Sequence, residues 1–299
     1  MLNILALKES LSLEEAAELD RQAEMNTKDV EDKINDELMR VQSLDTISFF
    51  GFTATPKSST LELFGTRIKD GRKEPFHVYS MRQAIEEGFI LDVLENYMTY
   101  KTYYRVNKKI EDDPEFDKSR TSKEIAKYVS LHPHNISQKT EIMIEHFRDK
   151  TQYKIGGEAK AMLVTSSRLH AVRYKLAFDK YIREHGYNDL NTLVAFSGTV
   201  KDNGIEYTEP KMNDGIPESE TAKEFDKDDY QILLVANKYQ TGFDQPKLHT
   251  MFVDKRLRGV NAVQTLSRLN RTYKGIKEDT FVLDFVNEAE DIKKAFEPY

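Results

Sequence analysis

From Lys160 onward, apolar and polar positions alternate in blocks of constant length. The apolar runs AMLVTS, TLVAFSG, QILLVAN, HTMFVD and FVLDFVN predict strands, and RLHAVRYKLAFDKYIREHG and NAVQTLSRLNR predict helices among them. Strands covered on both faces read as nearly unbroken apolar runs, so the pattern predicts an α/β fold: a parallel sheet flanked by helices. Between the second and third strands, the stretch from Thr199 to Asp229 is rich in Asp, Glu, Lys, Asn and Gly and has no clear apolar period. It is expected to be an insertion with one short helix around Glu218 to Phe225.

Upstream the signals are more varied. Residues 11–42 are rich in Glu, Ala, Lys and Leu, open with a Ser-x-x-Glu capping pattern at Ser12 and are polar on most faces, which predicts an exposed helical arm. The run ISFFGFTATP predicts a buried strand that stops at Pro56. Residues 57–75 read as loop with a short helix. FHVYS at 76–80 and TYKTYYRV at 99–106 read as strands, and MRQAIEEGF as a helix ending near Gly88. Two amphipathic helices are expected on either side of His132, Pro133 and His134. These shifts divide the chain at about residues 80 and 158, into segments 1–80, 81–158 and 159–299.

An apolar fraction of 39% over 299 residues is enough for a packed core. The absence of cysteine excludes disulfides, thiolate metal sites and a cysteine nucleophile, and the seven histidines form no HExxH pair, so no metal held by the protein alone is expected. No apolar run approaches the length that spans a bilayer, which leads to the expectation of a soluble, cytoplasmic protein. A net charge of −7 argues against a simple basic coat for nucleic acid. Yet Lys247, Lys255, Arg256, Arg258, Arg268, Arg271, Lys274 and Lys277 concentrate in the C-terminal third, as either a local basic surface or ordinary solvated charge.

In open α/β sheets ligands collect at the carboxyl ends of the strands, and four features fall there. Thr53 and Thr55 leave the sheet before Pro56 and either relay hydrogen bonds or merely satisfy their loop. Thr165, Ser166, Ser167 and Arg168 stand where a strand gives way to a helix, as phosphate donors or a plain N-cap. Thr241, Gly242 and Asp244 follow the QILLVAN strand, in a turn that Gly242 and Pro246 also explain. Gln264, Arg268 and Arg271 are spaced i, i+4, i+7, one face of the expected helix. Planar donors on one stripe suit a transferring phosphoryl group, although arginines on an ordinary surface helix have the same spacing.

Taken in order, GFTATP, MLVTSSR, FSG at 196–198, YQTGFDQP and QTLSRLNR resemble motifs III, IV, IVa, V and VI of superfamily-two helicases. Longer phrases, among them SFFGFTATPKSSTLELFG, KAMLVTSSRLHAVRY and the run from Val235 to Asn270, resemble the R (HsdR-type) subunit of type I restriction enzymes. The resemblance implies a RecA-like fold, with the tail of motor domain 1 within residues 1–80, linking elements in 81–158 and motor domain 2 in 159–299. It implies that Arg268 and Arg271, with Gln264 nearby, face ATP and Mg²⁺ bound by the other motor domain. It further implies that Thr165, Ser166, Arg168, Ser197, Gly198, Thr241 and Gly242 touch the DNA backbone, and that Thr53, Thr55 and Asp244 couple the two sites. The implied partners are double-stranded DNA, the methylation and specificity subunits, and the N-terminal half of the same subunit. The sequence contains no GxxxxGK[ST] loop and no DEAD or DEAH box, so it is expected to bind no nucleotide and to be inactive by itself. A non-enzymatic module that docks DNA or partner subunits is the alternative, and the motifs alone do not separate DNA from RNA.

Overall fold

The structure is a computed structural model that describes residues 51–56, 58–107, 130–239 and 243–299. The expected arm at 11–42, the start of the ISFFGFTATP run and most of the first amphipathic helix lie outside the described residues.

In chain order the helices are α1 (Ser58–Phe64), α2 (Met81–Glu86), α3 (Tyr100–Asn107), α4 (Pro133–Asp149), α5 (Arg168–His185), α6 (Glu209–Met212), α7 (Thr221–Asp226), α8 (Gly259–Leu266) and α9 (Ala289–Phe296). The strands are β1 (Thr66–Arg67), β2 (Lys73–Glu74), β3 (Tyr97–Thr99), β4 (Lys160–Thr165), β5 (Thr192–Ala195), β6 (Thr199–Asp202), β7 (Ile205–Thr208), β8 (Ile232–Val235), β9 (Leu248–Asp254) and β10 (Phe281–Asp284). Six of them form one parallel sheet in the order β3-β10-β9-β4-β8-β5. Residues alternate between its two faces: in β4, Ala161 and Leu163 join the core built on α4 and α5, whereas Met162 and Val164 join a second core with Ala262, Leu266 and Ile292 of α8 and α9. This two-sided burial is why each strand reads as continuously apolar. The fold is the parallel α/β sheet flanked by helices expected from the strand and helix pattern.

Local signals explain the boundaries. Helix α5 starts at Ser167, whose hydroxyl accepts the His170 N–H, and ends at Gly186, which takes the left-handed conformation (φ 66°) that a β-carbon disfavours. Helix α2 carries a full capping box between Ser80 and Gln83. The insertion holds the expected short helix as α7. It also holds a hairpin that the pattern analysis passed over, although Asn203 (φ 49°) and Gly204 (φ 78°) between β6 and β7 are the usual pair for a two-residue turn. Beside it, Asn213 pairs with the outer backbone of β5: its side chain accepts the Val194 N–H at 2.9 Å and donates to the Val194 carbonyl at 2.7 Å.

Three expected elements differ. FHVYS forms no strand: Phe76, Val78 and Tyr79 are exposed, and Ser80 serves as a helix cap. Only Thr99 of the 99–106 stretch is in a strand, and the rest is α3. Its aromatics fit helical spacing equally well, since Tyr100 and Tyr103 are three apart and meet Phe285 and His146 respectively. Residues 51–56 carry no regular structure, with Phe52 96% exposed, because no neighbouring strand among the described residues takes up their backbone groups. The linking segment nevertheless enters the sheet, since β3 pairs with β10 and forms one edge.

His146 on α4 is buried against Phe281, with ring centroids 4.3 Å apart, and Tyr103 lies 3.2 Å from its Nδ1. Burial first, then the neighbouring His249 and Lys150, lower its pKa from 6.5 to about 4. The folded state therefore binds fewer protons than the unfolded chain between these values. Stability from this group is complete above pH 6.5 and declines as pH falls toward 4, by roughly 3 kcal/mol in all. Denaturant titrations of the His146→Phe variant should show a shallower loss of stability over this window. Some slope should remain, because His249 is lowered in the same sense.

Candidate functional site

The helix predicted through Arg271 stops at Leu266. Ser267 caps it, and Arg268, Leu269 and Asn270 then continue as tight turns whose amides bond three residues back. Gln264 and Arg271 therefore do not share a continuous helical face. The chain ends the helix here because Asn270 and Arg271 pair with the linking segment instead: the Leu91 N–H donates to the Asn270 carbonyl at 2.8 Å, and Ile90 and Arg271 form an antiparallel bridge.

The side chains still converge. Gln264 Nε2 donates to the hydroxyl of the buried Thr55 at 3.0 Å, and Thr53 accepts the Thr55 N–H at 3.2 Å. Arg268 Nη1 lies 3.5 Å from the Phe243 carbonyl, and Arg271 Nε is 3.2 Å from Asp244 Oδ1. The two arginines differ in environment. Arg271 is exposed and salt-bridged, whereas Arg268 is partly buried and, among the described residues, meets a backbone carbonyl and no carboxylate. Desolvation draws the pKa of its guanidinium down to about 10. A desolvated guanidinium without a carboxylate suits an incoming anion.

A second group lies at the carboxyl edge of the sheet, at the ends of β4 and β5. Arg168 Nη1 donates to the Ser197 carbonyl at 2.9 Å, next to the exposed Ser166, Ser197 and Gly198. Gly198 has φ 77°, a left-handed conformation that favours glycine, and a β-carbon there would stand 3.3 Å from Arg168 Nη1, so a larger residue would also press on that guanidinium. Thr165 does not join them: it is fully buried, and its hydroxyl is 3.0 Å from both the Ser167 and Val235 carbonyls, tying β4 to β8. Thr241 and Gly242 lie outside the described residues.

Two supporting residues are not singled out as site residues by the sequence, where Lys277 reads as one of a group of surface charges. Glu209, fully buried within the polar insertion, accepts from the Phe196 N–H (2.8 Å), the Thr221 hydroxyl (2.5 Å) and Lys238 Nζ (2.8 Å), and so fixes the turn that presents Ser197 and Gly198. Lys277, 4% exposed, donates to two backbone carbonyls of Leu248 and Leu269. Among the described residues no group of His, Cys, Asp or Glu is arranged to hold a metal, and no helix is long and apolar enough to cross a membrane.

A six-stranded parallel sheet with arginines and hydroxyls gathered at its carboxyl edge and at the turn after α8 defines an α/β domain whose polar groups collect where such sheets meet ligands. Comparison with known proteins narrows the class. Residues 212–287 match the family model for type I restriction enzyme subunit R domain 3. The chain is 30% identical over 276 residues to the endonuclease subunit assigned to type I restriction enzyme MjaVIIP of Methanocaldococcus jannaschii, covering 79% of this chain and 25% of that protein. It is 23% identical over 279 residues to the type I restriction enzyme HindI endonuclease subunit of Haemophilus influenzae, covering 86% of this chain and 24% of that protein. Among solved structures, a fragment of an HsdR subunit from Vibrio vulnificus YJ016 aligns with a TM-score of 0.47 at 13% identity, over 76% of this chain and 37% of that one. The chain is thus similar in sequence to R subunits of type I restriction enzymes, and it spans about a quarter of the length of the curated relatives it matches.

Proposed function

We propose that this chain is the arginine-bearing part of the ATP-driven DNA translocase of a type I restriction R subunit. The observation that supports it most is the convergence of Thr55, Gln264, Arg268, Arg271 and Asp244 on the turn after α8, with Arg268 desolvated and lacking a carboxylate among the described residues. In this reading Arg268 and Arg271 reach toward the phosphates of ATP bound with Mg²⁺ by the other motor domain. The nucleotide, when bound, supplies the phosphoryl group that is transferred to water, and the two guanidiniums offset charge that builds on it. Gln264, through its hydrogen bond to Thr55, links that site to residues 53–56, and Asp244 orients Arg271 until a phosphate competes for it.

In the same reading Ser166, Arg168, Ser197 and Gly198 hold the DNA backbone, a role that the motif extends to Thr241 and Gly242, whereas Thr165 ties β4 to β8 from behind. The partners in this reading are double-stranded DNA, the methylation and specificity subunits, and the N-terminal part of the same subunit, all in the cytoplasm. The phosphate-cradling loop and the metal-binding acids are not in this sequence, so ATP and Mg²⁺ are held elsewhere in the subunit.

The 299-residue chain alone should therefore release phosphate from ATP at the rate of a protein-free control, with or without duplex DNA. DNA-stimulated hydrolysis by the isolated chain would refute this division of labour.

A further inference from the structure

The turn that carries Arg268 and Arg271 has left its helix, and the intrahelical bonds that would hold a longer α8 in place are absent from it. Something else must fix two guanidiniums against their acceptors. Phe243 and Asp244, those acceptors, lie on a separate segment that runs through Gln245 into β9. The two segments meet side by side, 25 residues apart in sequence for Arg268 and Phe243.

Lys277 sits behind both. Its ammonium donates at 2.7 Å to the carbonyl of Leu269, between the two arginines, and at 2.7 Å to the carbonyl of Leu248, at the start of β9. It is 4% exposed and forms no ion pair among the described residues. An ammonium so desolvated is costly to bury and would be replaced by an apolar side chain if only filling space mattered. Here its donors satisfy two carbonyls from the two segments that must stay in register. The Leu248 segment is itself anchored, since the Leu248 N–H donates to the Gln245 carbonyl at 3.0 Å.

We propose that Lys277 is a positioning residue for the arginine turn, tying it to the segment that bears Phe243 and Asp244 so that Arg268 and Arg271 stand preorganised for the transferring phosphate. Lys277 touches neither nucleotide nor DNA. It acts through the Leu269 carbonyl, while the Ile90–Arg271 bridge secures the other side of the same turn. The catalytic part of this inference rests on the proposed role of the arginines, whereas the positioning part rests on geometry alone.

The test separates the two. Amide hydrogen exchange on this chain should show faster exchange across residues 267–272 in Lys277→Met than in the parent, with the centres of β4, β8 and β9 unchanged. Lys277→Gln, which retains amide donors, should fall between. In the complete subunit, Lys277→Met should lower kcat for DNA-stimulated ATP hydrolysis about 10- to 100-fold, the scale of a misplacement of about 1 Å, with KM for ATP little changed. Unaltered exchange in the turn, or accelerated exchange throughout the sheet, would overturn the positioning role. Faster exchange in the turn with kcat intact would overturn its catalytic consequence, provided Arg268→Ala is inactive in the same assay. If Arg268→Ala is also active, the reading of the arginines fails and the positioning role stands.

Discussion

Replacing Arg268 with Ala in the complete subunit should reduce DNA-stimulated ATP hydrolysis and translocation by about 10³-fold or more, the range seen when a guanidinium that stabilises phosphoryl transfer is removed. Folding should be little affected. Arg268 is partly buried, donates to one backbone carbonyl at 3.5 Å and has no carboxylate to leave behind among the described residues, so its loss relieves a desolvated charge rather than stranding one. Arg268→Lys should remain severely impaired, because a compact ammonium does not reproduce the planar fork. Arg271→Ala should also stop translocation, and its exposed pairing with Asp244 leads to an equally small effect on stability. Steady-state ATPase, a translocation assay and thermal melting of the same preparations decide the matter. An Arg268→Ala subunit that keeps its rate within about threefold, below the scale that one such guanidinium supplies, would remove the arginine turn from the catalytic account.

Glu209→Ala should be the most destabilising substitution considered, by about 3–5 kcal/mol in urea titrations. The carboxylate is completely buried and accepts three hydrogen bonds, from the Phe196 amide, the Thr221 hydroxyl and the Lys238 ammonium. Truncation strands the Phe196 amide and leaves Thr221 only a long contact with the Pro217 carbonyl at 3.4 Å, while Lys238 keeps Glu218 at 3.1 Å. Glu209→Gln retains an acceptor for one or two of them and should cost less than half as much. Any Glu209→Ala protein that still folds should bind duplex DNA more weakly, since the turn at Ser197 and Gly198 hangs from the Phe196 amide. A cost below about 1 kcal/mol, the ordinary value of one net hydrogen bond, would contradict the network.

Much of this architecture was legible in the sequence, and the reason is physical. From Lys160 to Asp284 each strand of the six-stranded sheet is covered on both faces, so its apolar run is nearly unbroken, and β4, β5, β8, β9 and β10 all stand where the runs predicted. Legibility fails where local pattern is overruled by distant partners. The aromatic stretch after Thr99 has period-two and helical readings of equal merit, and contacts with Phe285 and His146 decide for helix. The turn after Leu266 still holds Arg268, Leu269 and Arg271, which are good helix formers, and the backbone of Ile90 and Leu91, far upstream, draws Asn270 and Arg271 out of the helix.

The site was partly legible for the same reason. Arg268, Arg271, Gln264, Thr55 and Asp244 do assemble, though around a turn rather than along a helical stripe. Thr165 sits at the expected strand end with its hydroxyl turned inward. Glu209 and Lys277 were invisible, because a charged residue in a polar stretch reads as solvated surface until the fold encloses it.

The side chain of Asn213 has a consequence for how this protein behaves in a crowded cell. One rim of the sheet is β5, and an unsealed rim is a template on which another chain can add a strand. By lending its amide to Val194 in both directions, Asn213 occupies the place such an intruder would take, and β5 is only four residues long. The hydrogen-bonding ladder therefore ends in a side chain rather than in open backbone, which guards the fold against runaway self-association along this rim.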